Sequence, residues 1–429
     1  MNRRTSSHAI ILRPDRPRWL DVWLLGMLAI PPPALAQLSL TTAANTQYEY
    51  NSNVFGLQHG YTFPGVTTPP YGDSFVAYGG KLDASYLWNQ QQLRATITGA
   101  EYRYDRFSIL NHSNYTVDGA WKWQLEDALD GLVDVTRVRS LVDVYNVTQA
   151  QVVQQTQQRE TGKIGIRLPA HWRAELSGYT EHDQEPLLNA PHLSLTETSG
   201  QAAVKYVGTA GLAAGLTAGY LHGNFDGAGE AVTPAYHQTD VALTATYGVS
   251  DVSAFSGRVG YSKRASAAAV VGGINSISGT TWDLHYRRAL TGKTTTELKV
   301  SRLITSYITN TGSVITSVAA LKAEWQATSI IGVTLDYNFA YQQMPGQGGT
   351  FDGPFNGTNR TDRFNFAGLS IRYDPFTWFS VRPYGRFQSR RSKNFAGGDF
   401  DSSAVGVQFT LQWQRGEPPP PSVFEMQPL

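Results

Sequence analysis

The sequence predicts an all-β fold: a transmembrane, antiparallel, up-and-down β-barrel of about 18 strands. Three observations support this prediction. Between Leu40 and Trp413, the chain shows stretches in which apolar and polar residues alternate. The connections between these stretches are alternately very short and distinctly longer. Aromatic residues collect near the ends of the stretches, where a barrel wall crosses the two membrane interfaces.

The alternation is clear in residues 76–88, VAYGGKLDASYLW. The even positions could face lipid, whereas Lys81, Asp83 and Ser85 on the odd positions could not. Successive side chains of a strand point to opposite faces, so the second face must meet water or polar partners. A membrane wall around a wet lumen requires this arrangement.

Residues 1–36 resemble an export signal. The segment combines a basic beginning, the apolar core VWLLGMLAI at residues 22–30, and the small-x-small pattern Ala34-Leu35-Ala36. We expect cleavage before Gln37. The alternative is a short membrane anchor that stays on the chain, but the apolar core is too short for a spanning helix. The predicted organisation is a signal peptide (1–36), a barrel (37–414) and a Pro-rich periplasmic tail (415–429).

Gly, Asn, Asp and Pro mark eight predicted hairpins, because tight turns need unusual or preset backbone angles. These are residues 89–91, 126–130, 169–170, 208–211, 250–252, 291–292, 327–328 and 374–376. Nine other connections, several much longer, are expected at residues 51–73, 108–113, 145–154, 183–195, 224–235, 265–276, 306–312, 344–360 and 393–400. Eight turns and nine loops join eighteen strands, and both termini are then expected in the periplasm.

A soluble β-protein is the alternative fold. It could also place aromatic residues at strand ends, but its strands usually have about five or six residues. After the predicted signal, no run of eighteen apolar residues occurs, which excludes helical membrane spans. The sequence therefore favours the bacterial outer membrane as its location.

Composition excludes several functions. The absence of cysteine rules out disulfides and thiolate chemistry, and the net charge of +1 argues against nucleic acid as a partner. The chain lacks the G-x-S-x-G and H-E-x-x-H motifs, so we expect no enzyme, metal or cofactor. His182, His192 and His222 near the predicted rim leave a rim-active outer-membrane hydrolase open as an alternative.

The last predicted strand, from Ala404 to Trp413, carries Gly406 followed by apolar residues at every second position. It resembles the C-terminal assembly signal of outer-membrane proteins, which implies that Gly406 to Trp413 engages the barrel-assembly machinery. The signal normally ends the chain, whereas here a tail containing Pro418 to Pro421 follows. We expect this tail to be disordered, with docking to a periplasmic partner as the alternative.

A family resemblance lies in the stretch Tyr48-Glu49-Tyr50-Asn51-Ser52-Asn53-Val54-Phe55, directly before a long predicted loop. This stretch resembles the opening of outer-membrane β-barrel porin families. It is particularly similar to the barrels encoded with exopolysaccharide biosynthesis operons. The resemblance implies a passive channel or part of a polysaccharide secretion route, and it supplies no catalytic residues.

The candidate binding surface is an arginine ladder in the lumen. Arg382, Arg386 and Arg390 share one face of the seventeenth predicted strand, and Arg372 lies on the preceding strand with the same facing. Guanidinium groups match carboxylates and sulfates, so the ladder could guide small anionic solutes or an acidic glycan. Alternatively, Asp399 and Asp401, or lipopolysaccharide phosphates, neutralise it.

Inward aromatic residues could form a path for sugars, or could instead pack against a folded-in loop; parity gives Phe364, Phe366 and Tyr384. The loops at residues 51–73 and 344–360 are both suited to constricting the pore. The function predicted is a porin-like channel for solutes or exported polysaccharide, in contact with outer-membrane lipid and lipopolysaccharide. A closed structural or adhesion barrel is a further alternative.

Overall fold

A computed structural model describes residues 37–60, 71–141, 154–185, 193–208, 211–227, 235–250, 252–266, 276–307, 310–346, 349–350 and 357–415. The predicted signal peptide (1–36) lies outside these residues. So do His192 and all but the first residue of the predicted tail (415–429).

The described residues form one closed antiparallel sheet of eighteen strands. Each strand pairs with its neighbours in sequence, and the first strand pairs with the last. The predicted barrel of about 18 strands is therefore confirmed. The strands are β1 Gln37–Asn51, β2 Asp73–Trp88, β3 Gln91–Tyr104, β4 His112–Leu125, β5 Leu129–Leu141, β6 Gln154–Arg167, β7 Trp172–Glu185, β8 Leu193–Val207, β9 Leu212–Gly227, β10 Tyr236–Ser250, β11 Ser253–Ser266, β12 Ser276–Thr291, β13 Thr294–Tyr307, β14 Asn310–Gln326, β15 Ile331–Met344, β16 Arg360–Phe376, β17 Phe379–Lys393 and β18 Phe400–Arg415.

Outside the barrel wall, the described residues contain three short elements. A single 3₁₀ turn spans Ser108–Leu110, and the segments Gly349–Thr350 and Phe395–Ala396 pair in parallel. Within the described part of the chain, no helix is long and apolar enough to cross a membrane.

The two ends of the barrel differ as predicted. One end, here called the turn end, carries the eight tight connections, and the other, the loop end, carries the nine remaining ones. Asn89, Glu126 and Ala170 adopt positive φ in the turns. This left-handed backbone lets two or three residues reverse the chain.

Two connections differ from the prediction. The turn expected at residues 374–376 lies at residues 377–378, because β16 continues to Phe376 through an irregular register. Pro375 fits such an irregularity, since it has no N–H to donate to a regular ladder. The connection expected at residues 306–312 is short: only residues 308 and 309 separate β13 from β14. Asn310 and Thr311, polar residues that were expected in the loop, instead form the beginning of β14.

The outer wall is apolar and the inner wall is polar. On β2, Tyr78 and Leu82 are exposed on the outside, whereas Lys81 and Asp83 form an ion pair on the other face. Other strands follow the same rule, and Leu176, Leu243 and Val405 on the outer wall are each more than half exposed. Such an outer surface is stable when lipid surrounds it.

An apolar cluster closes part of the loop end. We call it the loop-end cap, and its buried members are Phe55, Leu57, Tyr71, Phe107, Leu110 and Phe395. Asn53 fixes the first loop beneath this cap. Its side chain donates to Leu57 O at 2.8 Å and to Asp401 O at 3.1 Å, and it accepts a hydrogen bond from Leu57 N. The described part of the loop at residues 51–73 therefore contributes to the cover over this end of the barrel.

A buried carboxylate holds a second segment of the cap in place. Asp73, at the start of β2, accepts hydrogen bonds from Ser74 N, Arg106 N and Phe107 N at 2.8 to 3.0 Å. A carboxylate that accepts several backbone N–H groups fixes the course of the chain around it. It thereby positions Phe107, whose ring packs edge-on against Phe55 at 4.8 Å.

Closure between β1 and β18 can be tested with a disulfide, because the chain contains no cysteine. Asn45 and Thr410 lie directly opposite each other across this seam. Their Cα atoms are therefore within disulfide range. We expect the double variant Asn45→Cys/Thr410→Cys to oxidise to a circularised chain, with altered mobility on a denaturing gel. The pair Asn45→Cys/Leu411→Cys should stay reduced, because Leu411 lies on the opposite face. Equal oxidation of both pairs would contradict the register.

Candidate functional site

The centre of the candidate site is Glu49, a carboxylate on the lumen face of β1 that is 1% exposed. The Tyr384 hydroxyl donates to its Oε2 at 2.5 Å, and Arg386 donates to its Oε1. Gln47 donates to the Tyr384 hydroxyl at 2.7 Å. Hydrogen bonds in which the donor or the acceptor is ionised are about twice as strong as neutral ones. This cluster therefore joins β17 to β1 firmly.

These contacts cross an intervening strand. Gly406 on β18 lies between Tyr384 and Glu49 in the register. A Cβ on Gly406 would lie 2.6 Å from Tyr384 Cζ, which is shorter than the contacts that Cβ atoms make in proteins. The glycine thus leaves the gap through which the tyrosine reaches the carboxylate two strands away. Gly406, predicted to belong to an assembly signal, also has this steric role in the lumen.

The same arrangement occurs at three other places, and we call all four glycine-spanned bridges. In each, a side chain on one strand passes over a glycine on the next strand and bonds to a residue on the strand beyond. The other three are Arg173 over Gly165 to Asp130, Tyr236 over Gly223 to Glu197, and Arg372 over Gly332 to Gln326. The bridges fix side chains that would otherwise extend into the lumen.

Arg390 belongs to a buried charge cluster. Asp362 is fully buried and accepts hydrogen bonds from Arg360 and Arg390, each at 2.7 Å. The Arg360 guanidinium stacks on the Phe395 ring, 3.7 Å from its centroid. Phe395 is a member of the loop-end cap, so this cluster supports the cap from below.

Arg372 and Arg382 lie nearer the turn end, opposite each other in the register set by Tyr373 and Val381. Arg372 Nε lies 2.8 Å from Asp374 Oδ2. Arg382 is exposed, and no other described residue forms a hydrogen bond or ion pair with it. The side chains on both strands alternate so that these two arginines share the lumen face.

The predicted ladder therefore contains both paired and unpaired arginines. Three of its arginines pair with acids: Arg372 with Asp374, Arg386 with Glu49 and Arg390 with Asp362. The acids proposed from the sequence have other partners. Asp401 pairs with Arg391 on the outer face, and Asp399 accepts a hydrogen bond from Ser392 N. Among the described residues, the arginine of the ladder without a partner is Arg382.

A second charged wall lies on β5 to β8. Glu175 pairs with Arg173 at 2.7 Å, with Lys205 at 2.6 Å and with Lys163 at 3.5 Å. Lys163, Glu175 and Lys205 border a cavity of about 600 Å³ on the lumen face of the barrel wall. Its polar lining also includes Arg94, Lys122, Ser177, Ser199 and Gln201. The alternation of the strands puts these charges on the lumen face, and the register of β5 to β8 brings them together at Glu175.

Aromatic side chains line the lumen in more places than predicted. Phe364 lies beneath the Arg390 guanidinium, 5.4 Å from its ring centroid, and Phe366 is partly buried on the same strand. Sequence reasoning missed the pair Tyr102 and His112, whose rings stack at 4.6 Å on β3 and β4. Tyr102 and His112 alternate with outward-facing residues of the same strands, and this alternation would have predicted that both rings face the lumen.

Of the rim histidines considered from the sequence, His192 lies outside the described residues, and His222 is exposed on the outer face of β9. His182 lies on the outer face, where its ring nitrogens bond to Thr196 Oγ1 at 2.9 Å and to Gln184 Nε2 at 2.8 Å. His285 in the lumen pairs with Glu297. No group of three or more His, Cys, Asp or Glu that could hold a metal occurs among the described residues.

Comparison with known proteins gives the following. No protein-family model matches the chain, and no curated protein matches it either. The chain is similar in fold to the outer membrane protein OpdK from Pseudomonas aeruginosa, with 12% identity, a TM-score of 0.45, and coverage of 87% of this chain and 99% of that one. For OccK2 (OpdF) of the same organism, the identity is 11%, the TM-score is 0.46, and the match covers 88% of this chain and 98% of that one. For OccAB3 of Acinetobacter baumannii, the identity is 9%, the TM-score is 0.44, and the match covers 89% of this chain and 100% of that one. Values this low carry no information about cargo.

The structure itself defines the environment of the protein. A closed sheet leaves no unpaired strand edge, and its outer wall is apolar. Only such a closed barrel can satisfy all backbone groups of β-strands within lipid. With its polar, charged interior, this is the architecture of a bacterial outer-membrane protein.

The steric role of Gly406 can be tested by adding one methyl group. We expect Gly406→Ala to displace Tyr384 and to destabilise the barrel by about 1–3 kcal/mol, as overpacking usually does. Urea unfolding, followed by heat-modifiable gel mobility, measures the change. Gly162→Ala is the control, since a Cβ there would meet nothing within 4 Å. In the Tyr384→Ala background, the effect of Gly406→Ala should be smaller but not absent, because the new Cβ would also lie 2.7 Å from the Tyr48 backbone oxygen; an undiminished effect would contradict the bridge.

Proposed function

We propose that this protein is a porin-like channel of the outer membrane that favours anionic solutes. The observation that carries the proposal is Arg382, an exposed and unpartnered guanidinium on the lumen face, beside Arg372 and below Arg386. Barrels of sixteen to eighteen strands generally enclose an aqueous channel. A cation fixed to such a wall attracts carboxylate, sulfate or phosphate groups.

The orientation follows from the lengths of the connections. The turn end lies in the periplasm with both termini, and the loop end faces outward towards lipopolysaccharide. The strand ending in Gly406 to Trp413 is proposed to contact the assembly machinery before it pairs with β1. A tail in the periplasm could then meet a partner there.

An acidic polysaccharide is the finer proposal for the cargo. Its support is the resemblance of the stretch Tyr48 to Phe55 to barrels of exopolysaccharide operons, together with the arginines and aromatic rings on the lumen face. Hydroxyl-rich chains bearing carboxylates suit a wall of this composition, because guanidinium groups bind the acids and rings can stack on the sugars.

A closed structural barrel is the second candidate, and the loop-end cap favours it. Another buried apolar group at this end contains Leu195, Leu221, Phe225 and Tyr236 on β8 to β10. If the two groups seal the mouth, solutes cannot pass. Conductance separates the two functions directly.

Single-channel conductance in a planar bilayer tests the anionic path. We expect stable conductance, and we expect Arg382→Glu to lower the anion-over-cation permeability ratio several-fold, because it reverses the charge of an unpartnered group. Arg391→Glu is the matched control, since Arg391 lies on the outer face beside Asp401. A silent membrane with correctly folded protein would favour the closed barrel. Equal selectivity in both variants would contradict the role of Arg382.

The cap provides a separate prediction. Phe395→Ala removes the ring on which Arg360 stacks and which packs in the cap. We expect a measurably larger single-channel conductance, because the covering segments lose a common contact. Phe387→Ala, on the outer face of the preceding strand β17, should leave conductance unchanged. A lower or unchanged conductance in Phe395→Ala would show that the cap does not limit the path.

A further inference from the structure

Two histidines face each other on the outer wall near the loop end. His222 on β9 and His237 on β10 are direct register partners, and both side chains are exposed. Their neighbours in sequence, Leu221 and Tyr236, are buried on the opposite face. Directly opposed residues of antiparallel strands have Cβ atoms about 4.5–5.5 Å apart. The backbone therefore holds two imidazoles within reach of one ion.

The surroundings leave room for a ligand. On the far side of His222 the register partner is Thr198, and on the far side of His237 it is Ala265. Both are small. Asn224, two residues after His222 on the same face, donates its amide N–H to Asp226 at 3.2 Å. Its amide oxygen accepts no hydrogen bond from the described residues, so it can serve as a further ligand.

We propose that His222 and His237 form a binding site for a divalent transition-metal ion on the outer surface of the barrel. Neutral imidazole nitrogens suit copper, nickel and zinc. Two ligands fixed by a β-ladder bind one ion together, whereas two independent imidazoles would each have to be ordered on binding. Water and the Asn224 amide oxygen would occupy other coordination positions. The ion would link β9 to β10 at the loop end.

The third outward histidine of this region does not belong to the site. His182 already bonds to Thr196 and Gln184 through both ring nitrogens. It also lies on β7, two strands away from β9. The sequence contains nine histidines, so binding by the wild type alone would not locate the site. His182 therefore provides the matched control.

The test uses untagged, refolded protein in detergent near neutral pH, titrated with Cu²⁺ and then with Ni²⁺. We expect one site that binds copper more tightly than nickel, as the Irving–Williams order requires. His222→Ala and His237→Ala should each weaken copper binding at least tenfold, while His182→Ala leaves it unchanged. Copper binding unaffected by either His222→Ala or His237→Ala would overturn the proposal.

Spectroscopy of the wild type gives an independent readout if a variant fails to fold. The electron paramagnetic resonance spectrum of one equivalent of Cu²⁺ should show splitting from two imidazole nitrogens. A spectrum without nitrogen splitting, or splitting that persists unchanged in a folded His222→Ala/His237→Ala double variant, would overturn the site. Heat-modifiable gel mobility establishes that each variant is folded. None of these measurements depends on conductance.

Discussion

Closure of the sheet is the constraint on which the rest of this structure depends. Within lipid no water can satisfy a free N–H or C=O, so the first and last strands must pair with each other. In this chain the backbone ladder joins β1 to β18, and the contact of Glu49 with Tyr384 and Arg386 across Gly406 joins β1 to β17 as well. The buried carboxylate of Glu49 thus lies at the seam where the first and last strands pair.

Charge pairing in the lumen follows from the same geometry. A polar side chain on the inner wall extends into the lumen unless a neighbour binds it. The glycine-spanned bridges bind such side chains to groups two strands away, as in Arg173, which passes over Gly165 to Asp130. These pairs are partly shielded, so their cost in desolvation must be met by close hydrogen bonds. The bridges hold these side chains against the wall, whereas an unbridged group such as Arg382 stays available to solutes.

The sequence was sufficient for the architecture because period-two alternation and turn residues are local signals. Lys81 and Asp83 could be assigned to the lumen from parity alone. The pairing of Arg386 with Glu49 could not, because the two residues are separated by almost the whole chain and meet only after closure. Likewise, Asp362 was not predicted to be the partner of Arg390; the acids nearest in the loop, Asp399 and Asp401, were considered instead. The turn after β16 was misplaced because Pro375 can occupy an irregular strand as well as a turn.

The stretch Tyr48 to Phe55 illustrates how a resemblance acquires a physical meaning. Glu49 binds across the seam, Asn51 accepts hydrogen bonds from Asn53 N and Ser402 Oγ, and Asn53 fixes the first loop to β18 through Asp401 O. Phe55 then enters the loop-end cap. Every second residue of the stretch therefore joins the first strand to β17, to the last strand or to the cap. A short motif can be retained for closing a barrel and covering its mouth, whatever passes through, so the motif by itself does not identify the cargo. Selectivity has to be sought where the wall is not bridged, at Arg382.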